Sequence, residues 1–74
     1  MDLKKTVTAL RERFPNRPAV IKACLDAETL HEMAPFTGKS AYDLEHWLYN
    51  AVYQGLLTSM EVVLYTDILT SEVA

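Results

Sequence analysis

Three times in this chain a Ser or Thr stands three residues ahead of an acid: Thr29–Glu32, Ser40–Asp43 and Thr58–Glu61. In such a box the hydroxyl accepts an amide N–H of the first helical turn, and the acid reaches back to the cap's own N–H. Asp2 supplies a fourth cap ahead of an apolar-periodic run, while Pro15, Pro18, Gly38 and Gly55 supply stops and turns. The punctuation leaves only short helices, and helices under about 12–15 residues are marginal in water on their own. A chain written this way must pack several of them around one core.

The spacing predicts helices over 3–14, 18–26, 29–35 and 41–54. Leu3, Val7, Leu10 and Phe14 recur at i, i+4, i+7 and i+11, one narrow stripe. Val20, Ile21, Cys24, Leu25 and Ala27 form the next pattern, in which a continuous helix would place Glu28 inside the apolar arc. A break at 26–28, with Thr29 opening a new helix, removes that conflict. Gly55 suits a left-handed C-cap, with Leu56 or Leu57 packing back. Residues 60–72 read as helix or strand: the Thr58 box favours helix with Met60, Val63, Leu64 and Ile68 inward, whereas the Val62–Val63 run suits a strand. The expected class is therefore all-α, a single domain over 1–74, with a short C-terminal strand as the alternative.

Seventy-four residues, half of them hydrophobic, suffice for one small core and leave little scaffold for a preorganised catalytic site. We expect no enzyme. With Cys24 alone there is no intrachain disulfide, and no apolar run reaches the roughly 20 residues of a membrane span. A cytoplasmic protein without membrane contact is expected. Residues 1–25 carry six Lys and Arg against two acids, and residues 26–74 carry Lys39 against eight acids. Such a dipole can steer partners or support self-association.

Gly38-Lys39-Ser40 ends like a phosphate-binding loop, but the first glycine of that motif would fall at Met33, and the preceding residues read as helix rather than strand. No nucleotide is expected. His31, His46 and Cys24 are too few and wrongly spaced for a metal site. No metal or cofactor is expected, and Cys24 reads as a small buried hydrophobe.

The stretch Thr29–Leu57, TLHEMAPFTGKSAYDLEHWLYNAVYQGLL, resembles the winged helix-turn-helix repressors, with the likeness covering about 18–57. It rests on Thr29, Leu30, Glu32, Ala34, Thr37, Gly38 and Ser40, then Leu44, Leu48, Ala51, Val52 and Gly55-Leu56-Leu57. Small Ala34 would let two helices cross closely, and Gly38 would supply the positive φ of a tight turn. The resemblance implies a helix-turn-helix-like three-helix core behind an N-terminal amphipathic helix, and DNA as ligand. Against that ligand, the would-be recognition helix offers Asp43, Glu45, Asn50 and Gln54 with no Lys or Arg after Lys39. Phosphate contacts from cations normally carry DNA affinity.

Opposite the core-facing Leu44, Leu48 and Ala51 lie Tyr42, His46, Tyr49 and Tyr53, within an arc of about 60°. Rings with polar tips on an exposed face are typical of protein interfaces. These four are the expected partner-binding residues. Lys4, Lys5, Arg11, Arg17 and Lys39 form a second candidate patch, for an acidic partner or nucleic acid. The expected function is a small regulatory or adaptor protein acting by protein–protein contact, of the style of a phage or mobile-element accessory protein, with a dimer as one form. A helix-turn-helix DNA-binding regulator and a structural homo-oligomer subunit are the alternatives.

Overall fold

The computed structural model describes residues 1–71 and is all-helical over them. Helices α1 (Leu3–Arg13), α2 (Pro18–Met33), α3 (Ala41–Tyr53) and α4 (Ser59–Thr70) surround one core. The helical reading of residues 60–72 holds through Thr70; residue 72 lies outside the described residues. None of the four helices is long and apolar enough to cross a membrane.

Asp2 caps α1, its carboxylate accepting from the amides of Lys4 at 3.1 Å and Lys5 at 3.4 Å. The stripe is as spaced: Leu3, Val7 and Leu10 are buried. Phe14, before Pro15, leaves the helix half-buried, with the Arg17 guanidinium 5.2 Å from its ring centroid.

α2 corrects the expected break. It runs unbroken from Pro18 to Met33, merging the segments read as 18–26 and 29–35 and ending before Ala34. Pro18 sits at its first turn, where a missing N–H costs nothing. Thr29 does not cap a helix; its Oγ1 donates to the Leu25 carbonyl at 3.0 Å, one turn back. Glu28 does not enter the core either. It lies on the flank beside α1, where Arg11 pairs with it at 2.9 Å, and fully buried Ala27 takes the inward position. An acid at the edge of an apolar arc is tolerated when its charged end can reach a partner or water.

Residues 34–40 link α2 to α3 and are fastened from both sides. The Phe36 amide donates to His31 Nδ1 at 2.9 Å, and Trp47 Nε1 donates to the Ala34 carbonyl at 2.8 Å. Phe36 is buried, its ring 5.2 Å from that of Trp47. Ala34 is thus exposed at the end of α2 rather than at a helix crossing. Gly38 has no positive φ; that property belongs to Gly55 alone among the described residues. Gly38 is required by space: a Cβ there would stand 2.5 Å from the Asp43 Cβ and 2.8 Å from the Phe36 ring.

Both remaining boxes form. Ser40 Oγ accepts from the Asp43 amide at 3.1 Å, and Asp43 accepts from the amides of Ser40 and Lys39. Those backbone donors, Lys39 first, hold the Asp43 carboxyl below its ordinary range. At the other end Gly55, at φ 78°, closes a Schellman motif. Its N–H bonds the Val52 carbonyl, the Leu56 N–H bonds that of Ala51, and Leu57 is buried.

α4 keeps its predicted start, with the Thr58–Glu61 box intact, but not its predicted inward face. Val62, Tyr65 and Leu69 are buried and Ile68 half-buried, whereas Met60, Val63 and Leu64 are 84%, 59% and 46% exposed. The reason is a polar cluster against α2. Lys22 Nζ donates to Asp26 Oδ2 at 2.9 Å, to Glu61 Oε2 at 2.8 Å and to the Tyr65 hydroxyl at 2.9 Å. The Tyr65 hydroxyl gives its one proton to Asp26 Oδ2 at 2.6 Å. Glu61 and Tyr65 must therefore both turn towards α2, and that rotation sends Met60, Val63 and Leu64 outward.

Candidate partner-binding face

α3 is fixed from behind by Leu44, Leu48 and Ala51, all buried, so the side chains opposite them project from a rigid support. Tyr42 and Tyr53 are 74% and 85% exposed. The Tyr42 and His46 rings, one turn apart, stack with centroids 5.9 Å apart and planes 10° from parallel. Together with the 35–38 loop, Trp47 and Asn50 they border a shallow depression of about 340 Å³. Tyr49 differs from the expectation: it is half-buried and packed against the core, so three of the four predicted rings form the free face and the fourth supports it.

Of the predicted basic patch, Lys4 and Arg11 border one depression, together with Glu28 and His31. Arg11 is engaged with Glu28, and Arg17 lies over Phe14 at the far end of α1. Lys4 and Lys39, distant in sequence, border one depression of about 440 Å³ beside His31 and Thr37. Lys5 borders a different one, with Ala9, Ala41 and Leu69.

Two groups of residues escaped the sequence reading. The Lys22–Asp26–Glu61–Tyr65 cluster joins positions up to 43 apart, and only the i, i+4 spacing of Lys22–Asp26 signalled part of it. Hydrogen bonding, from Lys22 first and the Thr58 amide next, holds Glu61 down at about 2. Burial, followed by the bond to Asp26, pushes the Tyr65 phenol up to about 12. The second group is the outward side of α4. Its signal was an apolar composition around the whole circumference, which a helix adopts when it is covered on more than one side.

Chemically the face offers aromatic surface, hydrogen-bonding tips and carboxylates. Cys24 is fully buried in the core, and that burial raises its thiol above the ordinary value. Comparisons with protein-family models, curated proteins and solved structures find no match to this chain.

Proposed function

We propose that the chain is a small non-enzymatic regulatory or adaptor protein that binds another protein through the outward aromatic face of α3. The observation that carries this reading is the pair of exposed tyrosines, Tyr42 and Tyr53, on a helix locked from behind by its own core residues. Large rings held at low entropic cost are the usual anchors of interfaces. Size and acidity suit an accessory regulator of phage or mobile-element type. The test is quantitative co-purification from cells expressing the tagged chain, wild type against the Tyr42→Ala/Tyr53→Ala double variant. Both positions lie outside the core, so thermal unfolding should be unchanged while specific partners are lost. Identical sets of retained proteins would sink the proposal.

The helix-turn-helix resemblance supports a second reading, a DNA-binding regulator. The observation in its favour is that Lys4 borders the same depression as Lys39, the residue just before the α3 cap. Trp47 lies on α3, so its emission can report binding of a random-sequence duplex. A saturable change at low salt that disappears at high salt supports this reading, and no change at low salt removes it.

A further inference from the structure

We infer that the aromatic face of α3 continues across α4, and that this two-helix surface docks a cationic amphipathic helix of a partner protein. The inference rests on the adaptor reading above and names the chemistry of the partner.

Continuity follows from how the two helices are placed. α3 and α4 pack along each other and are joined by residues 54–58, and Ala41 shares a depression with Leu69 and Ser71, so the pair runs antiparallel. The Glu61 flank of α4 faces α2 through Lys22. The Trp47, Asn50 and Gln54 flank of α3 borders Leu30 and Met33 of α2. The flanks left are Glu45, Tyr49 and Val52 on α3 and Val63, Thr66 and Thr70 on α4, Thr70 also bordering Lys5, Thr6 and Ala9 of α1. At 1.5 Å of rise per residue, antiparallel pairing puts Tyr49 level with Val63, Tyr53 level with Met60, and Glu45 level with Asp67. Exposed Tyr53 on α3, which also borders the depression with Leu30 and Met33 of α2, and exposed Met60 and Val63 on α4 supply the apolar strip, and its methionine can reshape to a ligand.

Charge selects the occupant. Residues 40–71 contain four acids and no Lys or Arg. Asp43 and Glu61 are occupied by their capping boxes, and Glu61 also by Lys22. Glu45 and Asp67 are exposed, form no salt bridge with a cation among the described residues, and fall level with each other in the antiparallel register, beyond one end of the strip. A second copy presenting this same α3–α4 face would bring acids to acids, since residues 40–71 hold no Lys or Arg. A helix with Leu or Val on one side and Lys or Arg beside it satisfies both features: its apolar side covers the strip and its cation reaches Glu45 and Asp67. Exposed Tyr42 and Tyr53 add ring faces that attract cations.

The experiment uses the full chain and two labelled 18-residue peptides, a Leu/Lys amphipathic helix and its Leu/Glu counterpart, followed by fluorescence anisotropy. Saturable binding of the Leu/Lys peptide alone is expected. Glu45→Gln/Asp67→Asn should weaken it about ten-fold, the size of two partly exposed charge contacts. Val63→Asp should weaken it at least as much, with thermal unfolding unchanged in both variants. Equal binding of both peptides, or none, overturns the inference. So does a dimer, seen by sedimentation, that Val63→Asp disperses, because the face then belongs to a second copy. If Tyr53→Ala weakens binding while the α4 and carboxylate variants do not, the inference fails and the adaptor reading stands. Indifference to all three removes both.

Discussion

α3 and α4 open with the same device, a hydroxyl–acid box, and both carry enough apolar side chains to hold a core. Their orientations are decided differently. In α3 the apolar and polar residues separate cleanly, so burial alone selects the Leu44–Leu48–Ala51 side. In α4 apolar residues lie all round, so burying Met60, Val63 and Leu64 would satisfy the hydrophobic effect nearly as well as burying Val62, Tyr65 and Leu69. A difference that small is settled by polar contacts, here Lys22, Asp26 and Glu61 converging on the Tyr65 hydroxyl. The lesson is that a helix with weak amphipathicity takes its rotation from its neighbours.

The largest test of that contrast is at Tyr65, 1% exposed. Tyr65→Ala removes both ring and hydroxyl and should cost about 3–5 kcal/mol, most of the stability of a domain this small. Tyr65→Phe keeps the ring and should cost about 1–2 kcal/mol, leaving Asp26 with one donor fewer. Chemical denaturation measures both. A Phe variant as stable as wild type would mean that packing, not the cluster, orients α4.

The two glycines sharpen the comparison at the ends of α3. Gly38→Ala meets backbone-proximal atoms, the Asp43 Cβ among them, and should cost about 2 kcal/mol by overpacking. Gly55→Ala meets nothing within 4 Å, so only its φ of 78° opposes the change, at about 1 kcal/mol. The reverse order of losses in denaturation midpoints would mean that the 34–40 segment yields easily and that its fastening by His31 and Trp47 is weak.

These residues also mark what was legible. Caps at Asp2, Ser40 and Thr58 and the stop at Gly55 were readable because each is a local bond between residues two to four apart. The fate of Thr29 was not, although its box is of the same form. Whether a hydroxyl opens a new helix or bonds back within one depends on Glu28 finding Arg11 across the α1–α2 contact. Gly38 was read as a turn glycine for its φ; its true constraint, the Phe36 ring and Asp43, exists only once the loop is folded. Of the candidate site, Tyr42, His46 and Tyr53 followed from helical period alone. Tyr49 did not: the helical period puts it outward, yet it is half-buried against the core. The α4 half of the face was hidden by the uniform apolar composition that left its rotation open.

The cluster also sets a pH dependence. Glu61 titrates at about 2 in the folded chain against an ordinary 4.5, so the folded state holds its carboxylate charged where the unfolded chain would take a proton. The stabilisation is present above pH 4.5 and is lost as pH falls through about 2. Glu61 is partly exposed, so the loss should be no more than about 1 kcal/mol. Glu61→Gln should flatten the slope of denaturation midpoint against pH between about 5 and 2. An unchanged slope would show that other carboxyls dominate it.

The smallest effect is expected at Thr66, half-buried on α4. Its Oγ1 is buried with no hydrogen-bond partner, an uncompensated desolvation. Thr66→Val keeps the β-branched shape and replaces the hydroxyl by a methyl, so it should be neutral or stabilise by up to about 1 kcal/mol. The sign separates two descriptions of what holds α4. If Val stabilises, the surroundings of Thr66 are dry and apolar, and what orients α4 is the Lys22 cluster. If Val destabilises, the hydroxyl has a partner in solution, and the rotation of α4 is held by a polar contact besides that cluster.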